Sequence, residues 1–445
     1  MASIVVARAR VRPGAEGLVL RALLIAGGAA VLGWWAWSGT RTGTHGLAGA
    51  ITSLGRVAGL LAAYLCLVLV LLIARVPWFE RAVGLDRLVG WHRALGTNTV
   101  ILMAAHIGLI VWGYGISDDL PLTTELWTIV STYPAMIRAT IGTVLFLLVA
   151  MTSGSLMRRH LSYELWWTVH LTTYAAILLT FGHQLSNGED FIGHPRVQLV
   201  WLIAYVVVFG SVLWWRVLDP LILSASHALR VDQVVQESPD TASIWLRGDA
   251  LTSLRVRGGQ FLILRFLAPG LWSSGHPYSI SSIAEADRVR ITIRTDGDHS
   301  ARIARLRPGT WAVFEGPYGA FTTRPAREQA PALLLAGGVG VAPMVPIAAE
   351  LANNGHQVVA VVRDSSRHVL VDDLEELPGI EVHSLLGRRA DLGHDPMTRL
   401  PALVPDAATR DVWICGPPGF AVAAIRACHD LGIPDHHMHL EDFAW

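Results

Sequence analysis

The sequence predicts a multidomain membrane protein: a six-helix transmembrane bundle, then an antiparallel β-barrel domain, then an α/β nucleotide-binding domain. Three observations carry this. Up to about residue 220 the chain is a series of apolar runs with short polar breaks, and a helix of about twenty apolar residues crosses a bilayer core about 30 Å thick. From about residue 225, short segments such as VDQVV, ASIWLRG, GGQFLILRF and RVRITIR alternate with turn signals, as antiparallel strands do. After residue 330 a buried-type strand at 333–336 runs into the glycine turn GGVGVAP and then a helix, the opening of a parallel βαβ unit.

Length and composition fit this division. The 445 residues suffice for two or three domains. Charged residues make up 16%, below the roughly 25% of soluble domains, and the mean hydropathy is +0.43. The 35 basic residues, all arginine, balance 35 acidic ones, so no nucleic acid or other polyanion is expected as a partner. Cys66, Cys415 and Cys428 are isolated, which excludes a four-cysteine iron–sulfur or zinc site and indicates no disulfide framework. The basic start, MASIVVARARVRPG, reads as a cytoplasmic tail at 1–17 ahead of a retained anchor.

Six spans follow within 18–220, at about 18–37, 54–73, 92–114, 139–157, 163–185 and 197–218. Arginines cluster before the first span (Arg8, Arg10, Arg12), after the second (Arg75, Arg81, Arg87, Arg93), after the fourth (Arg158, Arg159) and at the end of the sixth (Arg216). The positive-inside rule then puts both termini in the cytoplasm. Trp34, Trp35, Trp37, Trp166, Trp167, Trp214 and Trp215 flank the spans as an interfacial belt. Arg56 near the start of the second span, at its outer end, reads either as a snorkelling side chain or as a cation beside the propionates of a haem held near the outer face.

Four histidines stand out inside these spans. His92 and His106 lie fourteen residues apart on the third span, and His170 and His183 thirteen apart on the fifth. At about 1.5 Å per residue each pair covers roughly 20 Å of membrane depth. Ionisable groups at that depth are rare and mark function. Spans three and five run in the same direction, so His92 is expected to meet His170 near the cytoplasm and His106 to meet His183 near the outer face. Each pair has the size needed to ligate a haem iron from both sides. One detail fits poorly: at about 100° per residue a fourteen-residue step returns to nearly the same helix face, while a thirteen-residue step misses by roughly 140°. The fifth span must be distorted, or its histidines must reach around it.

The second half carries ordered motifs: HPYSISS at 276–282, TIRTDGDHS at 292–300, EGPYG at 315–319, LLAGGVGVAP, ICGPPGF and a terminal LEDFAW. In this order they resemble the ferredoxin–NADP reductase-type flavoprotein module, and the first half resembles the ferric reductase-like transmembrane domain. The combination is similar to compact bacterial members of the NADPH oxidase/ferric reductase family, from about residue 45 to the end. The resemblance implies an FAD-binding barrel at 225–325 and an NAD(P)-binding α/β domain at 330–445. It implies two b-type haems on His92, His106, His170 and His183. His276, Pro277, Tyr278 and Ser279 fall at the isoalloxazine, with the Ser279 hydroxyl near flavin N5. Arg294 and Ser300 match positions near the FAD phosphates, and Gly316 is a further cofactor-binding position. Gly337, Gly338, Gly340 and Pro343 match the nicotinamide-nucleotide turn. Cys415, Gly416 and Pro417 match the segment beside hydride transfer. Phe443 or Trp445 would stack on the flavin. Arg363 and Arg367 suit a 2′-phosphate and Asp364 a ribose hydroxyl, and the two arginines tip the expectation to NADPH over NADH.

The expected function is a transmembrane oxidoreductase moving electrons from NAD(P)H through FAD and two bis-His haems to an outer acceptor, either O2 giving superoxide or a ferric chelate. The alternative is a haem–flavin membrane subunit feeding a dedicated protein partner. No such partner is evident in the sequence, and Ile110, one turn beyond His106, departs from the polar surroundings of animal oxidases.

Overall fold

The computed structural model describes residues 15–39, 46–283, 285–364, 369–387 and 396–441. The expected contacts Arg367, Phe443 and Trp445 lie outside the described residues. The chain divides into two compact units at Arg216/Val217.

The first unit is helical. Its helices are α1 (Ala15–Gly39), α2 (Gly46–Leu72), α3 (Pro77–Val83), α4 (Leu85–Ser117), α5 (Leu122–Thr132), α6 (Met136–Ser153), α7 (Ser155–Arg158), α8 (Tyr163–Asn187) and α9 (Pro195–Leu213). Five stretches among the described residues are long and apolar enough to cross a membrane: Gly17–Ser38, Gly46–Leu72, Arg87–Ser117, Met136–Ser153 and Pro195–His227. These indicate an integral membrane protein. The expected fifth span falls on α8, a helix of 25 residues, whose histidine, threonine and aromatic residues dilute its apolar character, so it is not among the five. Several boundaries move; α6, for example, ends at 153 rather than 157. α2 begins at 46 rather than 54, so Arg56 sits well inside it, and α4 begins at 85 rather than 92. The segment after α4 holds α5, an element that the apolar pattern does not predict.

Local chemistry starts and ends these helices. The Ser162 side chain caps α8 by accepting from the Leu165 amide. Pro195 opens α9 with its φ already set. α2 packs along α4 and α6 along α8, while α4 and α8 hardly approach each other. Small residues permit the two close pairings: a Cβ at Gly113 of α4 would meet Thr52 Oγ1 at 2.2 Å, and one at Gly142 of α6 would meet the Ala176 carbonyl at 2.8 Å.

Arg56 is neither snorkelling nor open. Its Nη1 donates to Glu189 at 2.6 Å, and Nη2 and Nε donate to the two oxygens of Asp190 at 2.7 and 3.1 Å. Asp190 also accepts from the Ser38 hydroxyl, and its carbonyl accepts from Trp34 Nε1. The network ties α1 and α2 to the segment after α8.

The second unit opens with α10 (Asp219–His227), on which Ser224 Oγ accepts from the Phe314 amide. Six strands follow: β1 (Arg230–Ser238), β2 (Thr241–Arg247), β3 (Phe261–Phe266), β4 (His276–Ser279), β5 (Arg288–Arg294) and β6 (Ala312–Tyr318), with helix α11 (Asp298–Ile303) after β5. They form two antiparallel sheets, β1-β2-β5 and β4-β3-β6. Single bridges, Ile280 to Ile291 and Arg230 to Trp311, link the sheets. Leu246, Leu262, Leu264, Phe266, Ile291 and Phe314 fill the space between them.

The remaining elements are β7 (Ala332–Gly337), α12 (Met344–Asn353), β8 (Val358–Asp364), α13 (Val371–Glu375), β9 (Ile380–Leu386), α14 (Leu400–Leu403), β10 (Asp411–Cys415), α15 (Pro418–Asp430) and β11 (Met438–Glu441). The five strands are parallel in the order β11-β10-β7-β8-β9. β7 is buried along its whole length, which is why it reads as a continuous apolar run without alternation.

Candidate functional site

The four membrane histidines meet in the pairs expected. The rings of His92 and His170 have centres 6.0 Å apart, and those of His106 and His183 6.4 Å apart. Two imidazoles gripping one metal from opposite sides, each at about 2 Å, have ring centres about 6 Å apart. Both spacings therefore fit one iron between each pair. All four rings are half-buried. Among the described residues no three or more His, Cys, Asp or Glu converge as a metal cluster, so the histidines stand as pairs.

The α4 histidines are oriented by the backbone of α2. His92 Nδ1 donates to the Leu69 carbonyl at 3.0 Å, and His106 Nδ1 donates to the Gly55 carbonyl at 2.8 Å. A carbonyl can only accept, so in both rings Nδ1 carries the proton and Nε2 keeps its lone pair, the arrangement common at metal-ligating histidines. The Leu69 carbonyl belongs to the last turn of α2, where helix carbonyls lack their usual partners. The chain tightens there, with Ile73 bonding to Val70 and Ala74 to Leu71, and Leu69 is left for the histidine. At the other site, a Cβ on Gly59 would lie 2.5 Å from His106 Nδ1. Gly55 and Gly59, one turn apart on α2, make the notch into which His106 fits.

On α8 the support is different. His170 lies 3.4 Å from the Ser153 hydroxyl and stacks on Trp166 at 5.2 Å. α8 is an unbroken α-helix through both histidines, so His170 and His183 leave different sides of it and reach their partners by side-chain direction. Distortion of the helix is not the solution.

In the second unit, the carboxyl ends of β7 and β10 lie side by side at the point where strand order reverses. Ligands of open α/β sheets bind outside such a point. A Cβ at Gly340 would meet the Cys415 carbonyl at 2.3 Å, and one at Gly337 would meet the Phe420 ring at 2.7 Å. Gly338 adopts φ +54, a left-handed conformation that glycine takes without strain. These glycines bring Gly337 and Gly340 against Cys415 and Gly416, with Gly338, Pro343 and Pro417 beside them along the chain. Cys415 is fully buried. Arg363 and Asp364 end β8, the next strand of the sheet.

The flavin-type motifs are distributed over the six-stranded region. In β4, His276 is paired with Leu264, Tyr278 with Leu262 and Ser279 with Phe261. Successive strand residues face opposite ways, so Tyr278 turns towards the core that contains Leu262, where burial pushes its phenol pKa up. Pro277 and Ser279 turn to the other face. The His276 ring lies 4.1 Å from that of His299, a neighbour the sequence reading did not single out. Gly316 has φ +115 in the EGPYG turn. Arg294 is at the surface, paired with Asp240 at 3.3 Å and Asp296 at 3.2 Å. Ser300 accepts from the Gly297 amide at 3.2 Å and so caps α11.

Residues 58–181 match the family model described as "Ferric reductase like transmembrane component". That stretch contains His92, His106 and His170 and stops just short of His183. The chain is 32% identical over 238 residues to the ferredoxin reductase component of 3-ketosteroid-9-alpha-monooxygenase of Mycolicibacterium smegmatis, an alignment covering 49% of this chain and 66% of that protein. It is 28% identical over 228 residues to a probable metalloreductase of Yarrowia lipolytica, covering 50% of this chain and 39% of that protein. A solved ferredoxin reductase in carbazole 1,9a-dioxygenase superposes with a TM-score of 0.42 at 21% identity, over 48% of this chain and 68% of that one. The chain thus spans less than two thirds of the length of the curated relatives it matches.

Proposed function

For a chain that joins a ferric reductase-like transmembrane domain to a ferredoxin reductase-like FAD/NAD-binding module, we propose a transmembrane oxidoreductase that takes electrons from cytoplasmic NAD(P)H and delivers them to an acceptor on the outer side. The observation that carries this reading is the double pairing of histidines, at 6.0 and 6.4 Å, one pair towards each end of the helical unit.

When bound, FAD divides the two electrons of a hydride into single electrons and the haems take them one at a time. His92 and His170 would hold one haem, and His106 and His183 the other. Held by two histidines, each metal would have no position free for a substrate ligand, so the acceptor would be reduced without binding iron. The α2 carbonyls of Leu69 and Gly55 fix the rings of His92 and His106. In the second unit, the turn of Gly337, Gly338 and Gly340 admits a pyrophosphate close to the backbone. Cys415 and Gly416 would hold the nicotinamide, and the Ser279 hydroxyl would hydrogen-bond the redox-active edge of the flavin. Arg363 offers a charge-assisted bond to a 2′-phosphate, which favours NADPH. The acceptor is O2 or ferric iron.

Haem content tests the reading. The purified protein should carry two low-spin haems per chain, and His106→Leu and His183→Leu should each reduce that to one. Two haems retained in both variants would refute it.

A further inference from the structure

Ser153, the last residue of α6, has two ring nitrogens within hydrogen-bond reach of its hydroxyl. Trp166 Nε1 donates to its hydroxyl at 3.3 Å, and His170 Nδ1 lies 3.4 Å from the same oxygen. The Trp166 ring stacks on His170, with centres 5.2 Å apart and planes 27° from parallel. The Arg158 guanidinium lies over Trp166, 4.6 Å from its ring centre. The other histidine of this pair, His92, bonds a backbone carbonyl, and no side chain can adjust that bond. On the His170 side the acceptor is a hydroxyl whose strength depends on what else it holds.

From this arrangement we propose that Ser153 and Trp166 are positioning residues that set the reduction potential of the inner haem through His170. The proposal rests on the bis-His reading above. With Nε2 directed to iron, Nδ1 carries the proton and donates to Ser153 Oγ. That bond makes the imidazole a stronger electron donor and favours the oxidised metal. The Trp166 N–H draws on the same oxygen and weakens its pull on His170. The two residues therefore act in opposite directions on one bond. Removing the hydroxyl raises the potential, and removing the indole N–H while keeping an aromatic ring lowers it.

The test is a spectroelectrochemical titration of the full-length protein in detergent, with low-spin ferric EPR of the same samples and haem stoichiometry measured beside them. Ser153→Ala should keep two haems, raise one midpoint and move one of the two low-spin EPR signals. Trp166→Phe should keep two haems and lower that same midpoint. Ser153→Thr, which retains a hydroxyl, should restore the parent value. Unchanged midpoints and EPR in both variants, or shifts of the same sign, would overturn the proposal. If a variant loses haem, Ser153→Cys, with its weaker acceptor, is titrated instead and must shift the midpoint upward. Wild-type protein without two haems would instead remove the bis-His reading, a different failure.

Discussion

At Gly59 a single methyl group would stand 2.5 Å from Nδ1 and 2.8 Å from Cε1 of His106. The ring cannot swing aside without giving up its bond to the Gly55 carbonyl. Gly59→Val is therefore expected to reduce haem content from two to one per chain while leaving the pair of His92 and His170 loaded. A pyridine haemochrome assay reads this, and two haems retained would count against the notch. In the other unit, His439 packs 4.8 Å from Trp413. Burial lowers its pKa from 6.5 to about 4, with Asp411 pulling the other way and His437 adding to the fall. The unfolded chain then takes up this proton first. The contribution to stability is complete above about pH 6.5 and is lost as the pH falls towards about 4. Melting curves of wild type and His439→Gln over that range should converge at low pH. Parallel curves would show that His439 is not the group responsible.

Between elements, Arg56 grips Glu189 and Asp190 in the membrane unit. The side chains of Arg56 and Asp190 are only 9% and 3% exposed. Removing one partner of a buried pair leaves the other charged and unpaired, at a cost of about 3 kcal/mol. Arg56→Ala should lower the Tm in detergent accordingly, and an unchanged Tm would mean the tie is not stabilising. The sequence made this arginine visible as an anomaly without identifying its partners, because 133 residues separate it from Glu189. The histidine pairs were more legible, since spacing and span direction decide which rings share a depth. The thirteen-residue step on α8 was not, because periodicity describes where a side chain leaves a helix and not where its tip arrives. The Gly55–Gly59 spacing was present in the sequence, but its meaning depends on α4 lying against that face. β7 and its glycine turn were read from the apolar run alone, and the bridges between the two antiparallel sheets were not, since single pairings leave no periodic trace. Arg367, Phe443 and Trp445 lie outside the described residues and stand as proposals.

For the whole molecule, the proposed function requires nucleotide to bind on one side of the membrane and the acceptor to be reduced on the other. Arg363→Ala should raise KM for NADPH about tenfold, a difference of about 1.4 kcal/mol for a lost charge-assisted contact, and leave KM for NADH unchanged in steady-state kinetics. Equal effects on both nucleotides would remove Arg363 from the 2′-phosphate. The most direct test of the central claim uses protein reconstituted in sealed liposomes that enclose ferricyanide, with NADPH added outside. Molecules with the second unit facing outward should show haem reduction followed by loss of the enclosed ferricyanide, and the loss should cease in His106→Leu. Haem reduction without loss of enclosed acceptor, or loss that persists in that variant, would contradict the account.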